Sequence, residues 1–295
     1  MIYKTAADLD FRLDELAEIS LPTRVLMTTP EFFDVQYVIN PHMEGNVGTV
    51  DAQVAASQWD VLRRVYESLG VSVDVVSGQS SMPDMVFCAN QTLPYRLHDE
   101  SQGVILSRMH AAQRAPEVEH YEQFFRSSGY AIRTLPGSIA DFEGMGDALW
   151  HAGRFFLWGG YGFRSSLDAY KYLSDTLDVK VAAVHLSDPD FYHLDTCLSV
   201  LSESTALIFP GAFDADGLDL IHTLFATVLE APEDESRHLF ACNAHSPDGQ
   251  NVIIQAGCEV TIDLLRNHGL NPIDVRTDEF LKAGGSVFCM KQMFW

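Results

Sequence analysis

The sequence predicts an α/β fold in which one short unit recurs around a centre, giving a propeller-like body open on one side. Three observations point there. Strand-like and helix-like stretches follow one another in the same order along the chain. The unit, strands then a helix then another strand, spans roughly 50 to 60 residues and recurs about five times without identity between copies. No linker or low-complexity stretch interrupts it, so residues 1–295 read as one domain. An ordinary α/β sandwich with coincidental spacing is the alternative.

The elements follow in order. Residues 5–19 have spacing compatible with a short amphipathic helix, and "RVLMTTP" is a strand stopped by proline. "YVINPHMEGNVGTVD" is a loop, and residues 40–50 could serve as a lid. "DAQVAASQWDVLRRVYESL" is an amphipathic helix capped by Asp51 and ended by Gly70, before the strand "VSVDVVS". "PDMVFCANQTLPY" and "GVILSRM" are strand-like, "PEVEHYEQFFRSSG" is helical, and "YAIRTLP" is a strand. "ALWHAGRFFLWGG" gives two strands, "SLDAYKYLSDTL" a helix, and "VKVAAVHLS" a strand. "FYHLDTCLSVLSESTALIFPGAF" reads as two strands, "GLDLIHTLFATVLEA" as a helix, and residues 237–255 as a hairpin. "GCEVTIDLLRNHGL" is a capped helix, and "NPIDVRTDEFLKAGG" and "SVFCMKQMFW" close the chain.

Acidic residues outnumber basic ones 41 to 19, a net charge of −22. Such a field repels nucleic acid and anionic membranes and favours cationic ligands, although acidity also serves solubility alone. No apolar run approaches a membrane span, and the start lacks a basic patch followed by an apolar block, so a cytoplasmic protein without a signal peptide is expected. The five cysteines are odd in number and form no C-x-x-C, which argues against a disulfide framework or a thiolate zinc site.

In "DFYHLDTCLSVL", His193 and Asp195 sit two apart in an apparent buried strand and would share a face. A buried carboxylate there needs a cation, and no Lys or Arg is close in sequence; a cationic ligand would supply it. In "IADFEGMGDALW", Glu143 or Asp147 could orient a histidine, or the stretch could be a plain acidic turn. Cys289 follows the expected hinge Gly284-Gly285; it is either a buried thiol or, beside an imidazole, a nucleophile. Asp84 and Asn90 lie in "PDMVFCAN", and Arg164 in "GGYGFRSS" could grip a carboxylate with two nitrogens.

Taken in order, "PDMVFCAN", "FEGMGD", "GGYGFRSS", "FYHLDT", "FACNA" and "LKAGGSVFC" resemble the guanidino-group-modifying enzymes: arginine deiminases, amidinotransferases, dimethylarginine dimethylaminohydrolases and arginine dihydrolases. The resemblance runs from about residue 24 to residue 290. It implies a five-bladed α/β propeller, the pentein fold, and no cofactor or metal. It implies Cys289 as nucleophile, His193 as general acid and base, and Glu143 as the carboxylate that orients it. Asp195 would hold the guanidinium, with Asp84 and Asp147 also on the substrate, and Arg164 would bind its α-carboxylate. Asn90 stands where deiminases have a second aspartate and resembles the arginine dihydrolase branch. Ionised carboxylates only accept hydrogen bonds, whereas asparagine can donate to the oxygen of a neutral ureido group. Such a site could retain citrulline and hydrolyse it again to ornithine, ammonia and CO2. Cys88, Gln91 and the tail "CMKQMFW" depart from that branch.

The expected partner is therefore a small cationic guanidino compound, with no nucleic acid or membrane and the oligomeric state left open. Deiminase, dimethylaminohydrolase and amidinotransferase chemistry remain alternatives. So do a metal hydrolase using His193, Asp195, Glu143 and His185, and a non-catalytic propeller acting as a binding module.

Overall fold

The computed structural model describes residues 1–295 and contains five separate β-sheets built on one plan. Thr92–Arg96 pairs antiparallel with Gln102–Leu106; helix Glu117–Ser127 then crosses over, and Ala131–Arg133 returns parallel. The crossover helix is required because parallel neighbours cannot be joined by a tight turn. The plan repeats with Ala148–Trp150, Phe156–Tyr161, helix Leu167–Leu177 and Lys180–His185. It repeats again with Leu198–Val200, Thr205–Ile208, helix Ala215–Leu224 and Thr227–Glu230. A reduced unit follows: Asn251–Gln255, helix Glu259–Asn267 and Asn271–Val275, with one bridge, His245 to Ile253, in place of the inner strand. The last unit is made from both chain ends. Gln292–Phe294 pairs antiparallel with Arg24–Thr28, which leads through helix Ala52–Ser68 to Ser72–Val76.

Local chemistry explains these elements. Asp51 accepts hydrogen bonds from the amides of Gln53 and Val54 and so starts helix Ala52–Ser68. Ala55, Trp59, Leu62 and Tyr66 make its buried stripe, and Gly70, at φ +79°, ends it. Strand Lys180–His185 is apolar and buried through its middle because both faces are covered. One contiguous cluster of 70 buried residues spans the units. Each large aliphatic side chain in it contributes about 1.5–3 kcal/mol.

Several expectations fail for physical reasons. Residues 5–19 form no α-helix but an extended strap with short 3-10 turns at Ala6–Asp8 and Leu13–Glu15. Leu9, Phe11 and Leu13 alternate with exposed residues, a period of two that a helix cannot place on one face. His193 and Asp195 do not lie on a strand; Pro189–Phe191 and Leu194–Thr196 are 3-10 turns, and the strand begins at Leu198. The Thr196 hydroxyl donates back to the His193 carbonyl, and the Leu194 amide is taken by Asp147, so these groups are lost to a ladder. Likewise Pro83–Val86 is a 3-10 turn ahead of strand Thr92–Arg96. The helix expected over 217–231 stops at Leu224, and the β-branched stretch after it becomes strand Thr227–Glu230. The hairpin expected over 237–255 shrinks to helix Glu233–Leu239, a loop and the single bridge. No helix is long and apolar enough to cross a membrane.

Candidate active site

A buried turn precedes the inner strand or bridge of every unit, and these five turns meet. They carry Asn90, Glu143 to Asp147, His193 to Asp195, Asn243, and Cys289. Hydrogen bonds join them in a closed ring. The Met145 amide donates to the Ala89 carbonyl at 2.8 Å, and the Leu194 amide to Asp147 Oδ1 at 3.0 Å. Asn243 Nδ2 donates to the Asp195 carbonyl at 2.7 Å. The Phe288 amide donates to the Asn243 carbonyl at 3.0 Å, and the Ala89 amide to the Cys289 carbonyl at 3.2 Å. Residues remote in sequence are thus held by three backbone–backbone links and by two through the buried side chains of Asp147 and Asn243.

His193 and Glu143 are in close polar contact, with Nε2 2.6 Å from Oε2. The carboxylate also accepts the His110 amide at 2.9 Å and lies 3.4 Å from the Arg164 guanidinium. Burial by itself would raise the Glu143 pKa; the His193 hydrogen bond and the nearby cations outweigh it and hold the group at about 2. With Nε2 engaged, His193 Nδ1 faces Asn90 Nδ2 at 3.5 Å. The orientation of that amide follows from Arg114, which donates to Asn90 Oδ1 at 2.8 Å and leaves Nδ2 toward the imidazole. Arg114 is itself buried against Glu117 and caps the Asp84 and Phe87 carbonyls.

Cys289 is buried. Its thiol donates to Asp195 Oδ2 at 3.1 Å, and Asn243 Nδ2 lies 3.2 Å from the sulfur. Burial, and next the Asp195 carboxylate, push the thiol pKa well up. Asp195 is pushed up to about 7, chiefly by burial. Three carboxylate oxygens here have no partner: Asp195 Oδ1 and both oxygens of Asp84. Buried acceptors without donors are costly, and a planar cation with several N–H groups would satisfy them.

Asp84, Asn90, Arg164, His193 and Cys289 line one cavity enclosing about 300 Å³. Asn40 and Met43, from the segment read as a lid, and Ile39 just before it are part of its wall. Asn40 donates to the Ala283 carbonyl and Asn46 to the His42 and Lys282 carbonyls, so this segment is tied across the cavity. Arg164 donates to the Ile39 carbonyl at 2.7 Å and stacks over Tyr192.

Other expected positions need correction. Asp147 is absent from the wall; it accepts from Ser165 and the Leu194 amide and so braces the peptide beside His193. Asp195 needs no such correction: its Oδ2 lies against the Cys289 sulfur of the wall, and its Oδ1 has no partner. Gly284-Gly285 is no free hinge: it is buried against Asn40, Tyr192 and Phe87, and a Cβ at Gly285 would come within 2.4 Å of the Phe87 ring. His185 stands apart beside Asp214, so the four residues of the metal-hydrolase reading do not gather. Arg114, Asn243 and Tyr192 were missed. The Arg114 to Glu117 spacing, three residues at a helix start, was the one available sign of a pair. Asn243 sat within "FACNA".

The arrangement offers a thiol, an imidazole whose Nδ1 meets only the Asn90 amide, a carboxylate fixing that imidazole, and unpaired acids for a cation. That set suits attack on an electrophilic carbon carrying amino groups.

Residues 41–294 match the family described as N,N dimethylarginine dimethylhydrolase, eukaryotic. The chain is 37% identical over 268 residues to the bifunctional arginine dihydrolase/ornithine cyclodeaminase AgrE of a Nostoc species, covering 90% of this chain and 37% of that one. It thus spans a little over a third of that relative. It is 36% identical over 266 residues to the N(G),N(G)-dimethylarginine dimethylaminohydrolase of Mycobacterium tuberculosis, covering 90% and 84% of the two chains. Among solved structures, the substrate-bound N-terminal domain of ArgZ, an arginine dihydrolase from the ornithine-ammonia cycle in cyanobacteria, superposes with a TM-score of 0.85 at 35% identity. That match covers 92% of this chain and 97% of that domain.

Proposed function

Because this chain belongs to the N,N dimethylarginine dimethylhydrolase family, among the guanidino-group-modifying enzymes, we propose that it hydrolyses the guanidinium of arginine through a covalent Cys289 intermediate and continues to ornithine. The observation that carries the second half is the Asn90 amide, turned by Arg114 so that its N–H groups face the reacting histidine.

In this reading the guanidinium enters between Asp84 and Asp195 and satisfies their open oxygens. Its charge favours the thiolate that burial suppresses in the free protein. The thiol proton passes to His193 Nδ1, sulfur attacks the guanidinium carbon, and that proton goes on to one nitrogen, whose bond to carbon breaks and which leaves as ammonia. An amidino-thioether remains. His193, oriented by Glu143, then takes a proton from water; the hydroxide adds, the thiolate departs, and citrulline is formed. Two ionised acids alone would repel the ureido oxygen of citrulline, but Asn90 donates to it. A second attack at the ureido carbon releases ammonia again. Water then frees a carbamate, which loses CO2 to give ornithine. Arg164 serves the substrate α-carboxylate.

We infer in the same way that the five sheets are blades of one propeller forming a single domain. The closed ring of hydrogen bonds and the near-complete coverage of the ArgZ domain support this. A second reading, release of citrulline from methylated arginines, is favoured by the family match and the mycobacterial relative.

The test is incubation with arginine, citrulline and methylated arginines, with products identified by mass. Ornithine from both arginine and citrulline supports the proposal. Citrulline as the end product of arginine overturns the second half. Turnover confined to methylated arginines transfers the assignment to the second reading.

A further inference from the structure

A second cavity opens at the far ends of the inner strands and reaches back between them to Met145 and Phe288 of the catalytic turns. Those turns precede the strands; this cavity is walled by Trp150, Val200, His245 and Trp295, at or beyond the strands' far ends, with the 19–22 strap along one side. It encloses about 610 Å³, mouth included, and Phe288 and Lys291 are also in its wall. The segment 289–291 therefore runs from the reacting sulfur on one side to the wall of this cavity on the other.

Its polar inventory is unusual. Trp150 Nε1 donates to the Pro94 carbonyl, and Trp295 Nε1 to the Ser20 carbonyl. His151 uses both ring nitrogens, on the Glu203 carbonyl and on Trp158. The Ser20 hydroxyl accepts from Arg96, the Ser246 hydroxyl accepts the Gly249 amide, and His245 Nδ1 meets the Tyr66 hydroxyl. Among the buried polar side-chain atoms of the wall, Lys291 Nζ alone has no hydrogen-bond partner; its nearest interaction is the face of Phe288. Lys291 is fully buried, and no carboxylate pairs with it. A buried amine left unpaired costs several kcal/mol as an ammonium unless something accepts its protons. The rest of the wall is mostly aromatic and aliphatic, with Ser20, Ser246 and His245 set among it.

We propose that this cavity is a binding site for a small aromatic monocarboxylate, its ring against Trp150 and Trp295 and its carboxylate on Lys291 Nζ. Unlike the guanidino substrate, this ligand is an anion. The carboxylate supplies the one acceptor the cavity lacks, and the indole donors, already engaged, leave only apolar faces for the ring. Burial pushes Lys291 down to about 7 in the empty protein, opposed by Asp195, Cys88 and Cys289, while His245 also faces it. His245 stays neutral, since burial and the lysine both lower its pKa. Anion binding therefore takes up a proton on Lys291, and affinity falls about tenfold per pH unit above that value.

Calorimetric titration of the whole chain with benzoate, phenylacetate and the neutral benzamide tests this. Saturable binding of at least one carboxylate is expected, weakened tenfold or more for benzamide and in Lys291→Met, and retained in Cys289→Ser, where the reacting sulfur is absent. Should Lys291→Met fail to fold, Val200→Phe, which fills the cavity and leaves the amine in place, is expected to abolish binding while arginine turnover persists. Absence of saturable binding by either carboxylate, equal binding of benzamide, or unchanged affinity in whichever variant folds overturns the site. Because binding is read as heat, failure here is separate from failure of the catalytic proposal.

Discussion

Arg114 and Asn90 are locked together: the guanidinium donates to Asn90 Oδ1 at 2.8 Å, which leaves the amide N–H groups turned toward His193. The direction of a side-chain amide, undetermined by its own electron count, is set here by a cation that can only donate. The proposed second round of hydrolysis depends on that direction.

Asn90→Asp is expected to retain arginine consumption and stop at citrulline, with ornithine formation reduced about a hundredfold through loss of a donor at the ureido oxygen. Product masses over time decide it; ornithine release at the original rate would show that Asn90 does not govern the second step.

Gly146 is required by close approach. A Cβ there would lie 2.1 Å from Asn90 Nδ2 and 3.5 Å from the His193 ring. Gly146→Ala should therefore cost about 1–3 kcal/mol in stability and lower kcat at least tenfold by displacing the Asn90 amide from its place beside the His193 ring. Chemical denaturation and steady-state kinetics measure the two effects, and a variant with native stability and turnover would refute the packing.

The high thiol pKa of free Cys289 predicts charge-selective labelling. A cationic haloacetamidine should alkylate Cys289 at least tenfold faster than neutral iodoacetamide, after correction for their reactivity toward free cysteine, because only the cation restores the thiolate. Asp195→Asn should erase most of the difference. Peptide mapping identifies the labelled residue, and equal corrected rates in the unaltered protein would contradict this account.

Asp147 provides a pH signature. Burial pushes its carboxyl up to about 7, above its unfolded value near 3.8. A folded state that holds the proton more tightly gains stability as pH falls from about 7 toward about 4. The Tm of the unaltered protein minus that of Asp147→Asn should thus grow by a few degrees between pH 7.5 and pH 5. Scanning calorimetry of both proteins across that range suffices; a gap that stays constant or narrows with acid would mean that the folded state does not hold the Asp147 proton more tightly.

By itself the sequence determined the crossover helices and most outer strands, because their signals are local. Asp51 caps its own helix, Gly70 ends it, and a stripe such as Trp59, Leu62 and Tyr66 is readable from spacing. The site motifs were also legible, since Cys289, His193, Glu143 and Asn90 are chemically distinctive side chains in glycine-rich or apolar surroundings. Only the tertiary structure decided how they meet. The turn at 193–196 is bent because Asp147, from the preceding unit, takes the Leu194 amide, a contact invisible in either segment alone. Arg114 and Asn243 gain their roles from partners 24 and 46 residues away, and Lys291 stands out only because folding leaves it buried without one. Helices and caps are settled by neighbours along the chain, whereas the orientation of a buried polar group is settled by whichever distant donor or acceptor the fold brings against it.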